Sequence, residues 1–379
     1  MQLLLALYLL AASAYVLLAI AQVVRLRLEP TGLPATLPPI TVIKPLHGAE
    51  PGLFENLLSF CQQDYPTYQV IFGVAREDDP AVPVVRQLVD ACPEVDITLV
   101  IEPREIGSNR KISNVANCHA LSKHDLLVIA DSDMRVPADY LRRVASAFDD
   151  ETVQAGTCLY AGRTLGGVAS WLGSAYINEW FLPSVLVATR FGPLEFCFGA
   201  TMAIRRDALQ RIGGFERLAN ELADDYRLGN LVAADGGRVA LIPCIVENMT
   251  NEPTIRGLLK HELRWARTVR SVQPAGYAFS FLTYVVPAAL LFALAAGGEQ
   301  PVAALAAIGW AIGLRAVMHD VARTRISSHL PAAYGLAVLR DVLCFGVWAA
   351  SFLSRNVEWQ GYEFKVDKQG HMEPRGNAE

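Results

Sequence analysis

VIADSDMRV, residues 128–136, is the stretch whose reading decides the fold. With Leu126 and Leu127 before it, the run up to Ala130 reads as a strand buried on both faces. Asp131, Ser132 and Asp133 then arrive together, with Arg135 behind them. A hydrophobic strand ending in two carboxylates one residue apart puts charge at its carboxyl end. In open α/β sheets that end is where ligands bind. Two such carboxylates are oxygen ligands for a hard divalent cation, Mg²⁺ or Mn²⁺, which can hold a diphosphate. Taken alone, Asp-x-Asp is equally at home in a solvated turn.

Upstream, apolar strands alternate with helical patterns. ITVIKPL (40–46), YQVIFGVA (68–75), DITLVIE (96–102) and DLLVIAD (125–131) read as strands. GLFENLLSFCQQ (52–63), AVPVVRQLVDAC (81–92) and KISNVANCHALSK (111–123) read as helices. This βαβαβαβ order predicts a mostly parallel sheet covered by helices, a Rossmann-like α/β domain.

Both ends of the chain are of another kind. The 379 residues are 52 % hydrophobic, with a mean hydropathy of +0.27, which predicts membrane segments. The net charge of −5 excludes a chain built to coat nucleic acid. Residues 2–24 carry no charge, and Arg25 and Arg27 follow. The positive-inside rule places the N-terminus outside and residue 25 onward in the cytoplasm. EPTGLPATLPP (29–39) reads as a linker. Residues 254–273 form a basic amphipathic segment, with Lys260, Arg264, Arg267 and Arg270 interleaved with apolar positions. Apolar stretches follow at 275–296, 301–318 and 332–353. One N-terminal and three C-terminal spans would put the tail outside, against the preference of Arg355, Lys365, Lys368 and Arg375 for the cytoplasm. One apolar stretch is therefore expected to be re-entrant or interfacial. Residues 168–188 are a further candidate for membrane contact, although Glu179 argues against a full span there. The domains expected are 1–25 (membrane helix), 26–250 (α/β), 251–274 (interfacial), 275–354 (membrane) and 355–379 (polar tail). The seven cysteines are scattered, without CxxC spacing, and read as reduced core residues of a cytosol-facing protein rather than as zinc ligands or disulfides.

Asp131 and Asp133 have company. Asp78 and Asp79 follow the strand at 68–75, where a carboxylate can accept from a nucleobase or a sugar hydroxyl, or cap the next helix. GSNRKISNVAN (107–117) places Asn109, Arg110 and Lys111 at a helix start suited to an anion. Asp224 and Asp225 sit in what reads as the first turn of a helix, where acidic residues are also ordinary. HELRW (261–265) offers the Arg264 fork to phosphate and Trp265 as a flat face, or as a membrane anchor.

In this order the signals resemble the GT-A-fold glycosyltransferases of the family 2/21 type: a first Asp, DxD, a third Asp, then Q/R-x-x-R-W. More narrowly, residues 40–66 with EDDPA, NRKISN, DSDMRV, RRDALQRIGGF and LADDYRLG are similar to ceramide glucosyltransferases and their bacterial relatives in hopanoid synthesis. The resemblance covers residues 40–275. It implies that Asp78 and Asp79 bind the nucleotide, that Lys111 and Asn114 help place the nucleotide-sugar, and that Asp131 and Asp133 sit by the metal and diphosphate. It further implies Asp225 as general base, with Asp224 beside it, and closure of Arg264 and Trp265 over diphosphate and sugar. His261 departs from the pattern, which has Gln or Arg. The animal enzymes have Asp-Ser-Gly where this chain keeps Asp133.

The activity expected is therefore that of a multi-pass inner-membrane hexosyltransferase with a cytoplasmic catalytic domain. It would move GlcNAc or Glc with inversion from a UDP-sugar to a lipid hydroxyl, using Mg²⁺ or Mn²⁺. The acceptor expected first is a hopanoid polyol such as bacteriohopanetetrol, receiving GlcNAc. Ceramide receiving glucose is the alternative. A processive polysaccharide synthase and an inactive nucleotide-sugar-binding scaffold are further readings. Too few C-terminal spans for a polymer channel speak against the first, and the intact acidic set against the second.

Overall fold

The computed structural model describes residues 1–28, 34, 36–354, 356–359, 362–366 and 372–374. Most of the Pro-rich stretch 29–35, and Arg355, Lys368 and Arg375, lie outside them. The chain divides into two compact units: Arg27–Tyr160 with Pro193–Met249, and Met1–Leu26 with Ala161–Gly192 and Thr250–Glu379.

The first of these is built on a mixed sheet. Its strands are β1 (Ile40–Pro45), β2 (Tyr68–Val74), β3 (Asp96–Ile101), β4 (Leu126–Ile129), β5 (Met134–Arg135), β6 (Val153–Thr164), β7 (Met202–Arg205) and β8 (Arg238–Thr250). Their order across the sheet is 3-2-1-4-7-6-8-5. The expected parallel half is present, with β2 on β3 and β1 between β2 and β4. Beyond β4 the pairing turns antiparallel, as β7 runs against β4 and β6, and β5 against β8.

Alternation along the central strands explains why both faces are covered. Val42, Val70 and Val128 point to one side, into a core with Leu57 and Phe60 of helix Leu53–Cys61 and Val85 and Leu88 of helix Ala81–Ala91. Ile43, Ile71, Leu127 and Ile129 point to the other, against Ile112, Val115 and Cys118 of helix Arg110–His119. All seven cysteines are buried and unpaired, as expected of reduced core residues. After β3 the chain returns to the far side of β1, so β1 and β4 flank the place where strand order reverses.

Among the described residues, the second unit holds three helices long and apolar enough to cross a membrane: Gln2–Arg25, Pro301–Arg325 and Tyr334–Ser351. A further pair, Pro274–Thr283 and Val285–Ala296, is bent by 63° at its break. The basic segment is the helix Ile255–Val272, N-capped by the Thr254 hydroxyl, which accepts from the Gly257 N–H. Helix Pro301–Arg325 continues well past the apolar stretch expected at 301–318, taking up Arg323 and Arg325.

Residues 168–188 form helices Val168–Tyr176 and Leu182–Phe191, joined by a π-turn at Ile177–Phe181. Glu179, in that turn, is fully buried and 2.7 Å from Nδ1 of the equally buried His319. Asp341 accepts from Trp180 Nε1, Arg315 and the Val286 N–H, and Arg315 donates to the Thr283 carbonyl. The ion pair thus satisfies the backbone groups freed at the bend, which low-dielectric surroundings require.

Candidate active site

Lys44 belongs to the charged cluster, although it stands in the mostly apolar strand ITVIKP. It lies on β1, has no exposed surface, and sits 3.8 Å over the Phe60 ring. Its Nζ donates to the Asp131 carbonyl across the point where strand order reverses. Burial pulls its pKa down to about 7, against the opposing pull of Asp131 and Asp133.

Lys111 stands one residue inside the next helix. Asn109 caps that helix, its side-chain oxygen accepting from the Ile112 N–H at 3.0 Å. The same Asn109 amide donates to the Glu221 carbonyl and, at 3.4 Å, to Asp224, so the cap joins this helix to the segment carrying Asp224. Lys111 Nζ lies 2.7 Å from Asp131 Oδ1 and 3.2 Å from Asp224 Oδ2. Burial works against its charge, but Asp131, Asp224 and Asp225 outweigh it and hold it well above the ordinary ammonium range.

Asp133 accepts from Asn248 Nδ2 at 2.7 Å, while its carbonyl accepts from the Met249 N–H. Burial, and then the neighbouring Asp131 charge, push its carboxyl up to about 7. Asp225 opens helix Asp224–Ala234, as expected from the sequence. Its Oδ2 accepts from the Gly199 N–H at 2.8 Å, and its Oδ1 from the Tyr226 N–H at 2.7 Å. Burial first, then the Asp224 charge, push it up to about 6. Gly199 also bonds through its carbonyl to the Asp131 N–H. A Cβ there would stand 2.5 Å from Asp131 Oδ2, so glycine lets this backbone pass between the two carboxylates.

Asp131, Asp133, Asp224, Asp225, Lys44 and Lys111 therefore form one connected cluster. Asp79 lies apart from it, after β2. Its carboxylate accepts from the Gly48 N–H at 2.9 Å and the Ala81 N–H at 2.9 Å, tying the loop after β1 to the next helix. Asp78 is exposed and paired with Arg76. Asn114 donates to the Gly73 carbonyl at 2.8 Å and, at 3.4 Å, to that of Leu46, so its amide clamps the ends of β1 and β2.

The cluster fits a divalent cation only if a ligand shares it. Among the described residues no group of three or more His, Cys, Asp or Glu side chains is arranged to hold a metal. Yet Asp131 and Asp133 are hard oxygen donors in a cluster with more carboxylates than ammonium groups. Mg²⁺ and Mn²⁺ bind through one or two carboxylates plus substrate phosphates and water.

Arg264 and Trp265 lie on the basic helix of the other unit. The Trp265 ring is 4.3 Å from that of His261 and 6.0 Å from that of Tyr176. His261 Nδ1 is 2.7 Å from Glu252 Oε1. The Glu252 backbone is fixed in turn by the buried Ser170 hydroxyl, which accepts from its N–H and donates to its carbonyl. Sequence reasoning missed Lys44, Asn248 and Glu252. Only Lys44 left a signal, as a lone ammonium in a β-branched strand.

Compared with known proteins, residues 4–372 match the model of glycosyl transferase family 21. The chain belongs to glycosyltransferase family 21. Ceramide glucosyltransferase 3 of Caenorhabditis elegans is 22% identical over 90% of this chain and 75% of its own length. Ceramide glucosyltransferase 1 of the same animal is 23% identical over 63% of this chain, which spans about half of that relative (51%). An N-acetylglucosaminyltransferase of Rhizobium meliloti is 25% identical over 61% of this chain and 56% of its own length. Among solved structures, the mannosyltransferase PcManGT of Pyrobaculum calidifontis, in complex with GDP-Man and Mn²⁺, aligns over 93% of this chain and 99% of its own, with a TM-score of 0.54 and 20% identity. That likeness supports the GT-A-like fold of this family 21 chain.

Proposed function

We propose that this family 21 protein is a membrane-bound inverting glycosyltransferase that moves a hexose from a nucleoside diphosphate sugar to the hydroxyl of a membrane lipid. The observation that carries the reading is the family match over residues 4–372, together with the carboxylate–ammonium cluster at the carboxyl ends of β1 and β4. Glucose from UDP-glucose and ceramide as acceptor become the first choice, because ceramide glucosyltransferases are the relatives matched over most of the chain. GlcNAc transfer to a hopanoid polyol, preferred from sequence alone, moves to second place. Its sugar half keeps the support of the N-acetylglucosaminyltransferase relative.

Asp225 is the proposed base. Its Oδ atoms are oriented by two backbone N–H groups, and its raised pKa suits proton transfer near neutral pH. It takes the proton of the acceptor hydroxyl as that oxygen bonds to the anomeric carbon. The bond from that carbon to the diphosphate oxygen breaks, and its electron pair leaves with the diphosphate. One base and a single displacement invert the anomeric centre and give a β-linked product from an α-linked donor. Asp131 and Asp133 would hold Mg²⁺ or Mn²⁺, which when bound supplies Lewis-acid neutralisation of the leaving diphosphate. Lys111 keeps a fixed cation beside them, and Asp79 organises the loop expected to meet the nucleotide. On the basic helix, Glu252 holds the His261 ring against Trp265, giving the HxxRW motif a fixed geometry.

The test is UDP release by the detergent-purified protein with Mn²⁺ or Mg²⁺. UDP-glucose and UDP-GlcNAc are each offered with ceramide and with bacteriohopanetetrol, with Asp225→Asn as control. Turnover of UDP-glucose with ceramide, lost in the variant, is the expected result. Turnover of UDP-GlcNAc with the hopanoid alone reverses the order of the two readings. A long polymer as product would sink both.

A further inference from the structure

Helix Tyr334–Ser351 has the length and composition of a membrane span, but its contacts set it on another course. It runs beside the basic helix Ile255–Val272, in the same direction. Leu258 and Ala337 share one apolar cluster, Arg340 lies 2.7 Å from Glu262, and Arg270 donates to the carbonyls of Ser351 and Ser354. These partners advance together along both helices. Just past them, Arg267 donates to the Asn356 carbonyl, where the terminal strand Asn356–Trp359 begins.

The basic helix carries Arg256, Lys260, Arg264, Arg267 and Arg270. Each such cation is costly at the centre of a bilayer. Two helices locked side by side must follow one path. A crossing by Tyr334–Ser351 would therefore carry its basic partner through the hydrocarbon.

The remaining membrane helices fix the faces. Helices Gln2–Arg25 and Pro301–Arg325 run in the same direction, since Gln2 bonds Glu299 and Ser13 bonds Trp310. Their last turns hold Arg25, and Arg323 with Arg325. The turn at 297–300 lies at the opposite end, where Gln2 also bonds the Ala295 carbonyl. Helix Tyr334–Ser351 starts at the basic end, its Tyr334 hydroxyl bonded to Asp320, and finishes tied to Arg270. Both of its ends are thus held by the basic face, which the positive-inside rule makes cytoplasmic.

We propose that helix Tyr334–Ser351 does not cross the bilayer. It forms with Ile255–Val272 a two-helix layer on the cytoplasmic membrane surface, and its partner is a phospholipid surface. Exposed Leu339, Val342, Phe352 and Leu353, with Ile255 and Val269 of the basic helix, supply the apolar contact, and the exposed Arg256 and Lys260 meet anionic headgroups. The membrane is then crossed by Gln2–Arg25, by Val285–Ala296 with its bent lead-in, and by Pro301–Arg325. The terminal strands return to the cytoplasmic side. The inference is independent of any substrate.

The test uses the full chain in sealed right-side-out and inverted vesicles, labelled with a membrane-impermeant maleimide. Single variants Gly298→Cys, Arg256→Cys and Leu353→Cys are compared against the parent, whose seven cysteines are buried. Gly298→Cys is expected to react only right-side-out, and Arg256→Cys and Leu353→Cys only after inversion. Reaction of Leu353→Cys alongside Gly298→Cys right-side-out overturns the proposal. If Leu353→Cys reacts from neither side, a carboxyl-terminal fluorescent protein that matures only in the cytoplasm decides. Fluorescence supports the proposal, and full-length but dark fusion protein overturns it.

Discussion

Asp225 has to be ionised to accept a proton, yet burial and Asp224 favour its protonated form, lifting it from 3.8 to about 6. Below that value the proposed base is occupied. kcat/KM is therefore expected to rise with pH through about 6 and then level off, with Asp225→Asn at least a hundredfold slower, within the usual range for general-base loss. A limb centred near 4 would mean that another group is the base. The same shift has a consequence for stability. A carboxyl that binds its proton more tightly when folded stabilises the fold below its unfolded pKa, and that contribution is lost as pH rises from about 4 through 6. Asp225→Asn should accordingly unfold no earlier than the parent at pH 8, despite its lost activity, as thermal scans at pH 5 and 8 would reveal. His261 supports a separate prediction. Glu252→Gln removes the carboxylate that orients its ring. If the ring acts on bound nucleotide, KM for the UDP-sugar should rise several-fold with little change in kcat. His261→Arg, which restores the motif's usual residue, should lose less than His261→Ala. Equal losses in both His261 variants would argue against a motif role.

Elements place these residues, and the cap of one helix shows how. Asn109, which has no exposed surface, caps helix Arg110–His119 and donates to the carbonyl of the buried Glu221. Asn109→Ala leaves the buried Glu221 carbonyl and the Ile112 N–H short of partners. The expected cost is about 2–3 kcal/mol, from a lost cap of about 1 kcal/mol and an unsatisfied buried acceptor. Chemical denaturation would measure it, and activity should fall further than stability, because Lys111 is carried by that helix. A change under 0.5 kcal/mol would show that the cap is not what holds the element. This helix and the four parallel strands were legible in the sequence because short apolar runs alternate there with helical spacing. The antiparallel half was not. Its strands β6 and β8 are long and find their partners far along the chain, and β5 has two residues that make sense only against Asn248 and Glu247. DxD and Asp225 were legible because acidic residues at strand and helix ends stand out. Lys44 was not, since its burial is explicable only once β4 delivers the Asp131 carbonyl. Asn114 was read for the nucleotide, whereas its amide hydrogens go to backbone carbonyls of β2 and the loop after β1. Hydropathy found the apolar stretches but not their directions, because the pairing of Arg340 with Glu262 is a tertiary fact.

At the scale of the molecule, the ligand-free acidic cluster is itself a reserve of binding energy. Asp131 and Asp133 stand one residue apart in the cluster that also holds Asp224 and Asp225, and Lys44 and Lys111 oppose them. Two aspartates make a weak site for a lone Mn²⁺, and a nucleoside diphosphate alone meets net negative charge. Together the two ligands complete each other's coordination, so their binding should be strongly cooperative. Any ligand that binds only the folded state stabilises it by RT ln(1 + [L]/Kd), about 2.7 kcal/mol at a hundredfold excess over Kd. UDP with Mn²⁺ is therefore expected to raise the unfolding temperature of the detergent-solubilised protein clearly, and either alone to raise it little. Asp131→Asn and Asp133→Asn should each abolish the joint shift while leaving a folded protein, because each removes a carboxylate from a crowded cluster. A full shift with UDP and a chelator would show that Lys111 and its helix hold the diphosphate without a cation. The proposed role of Asp131 and Asp133 as metal ligands would then fall, although the family and the fold would stand.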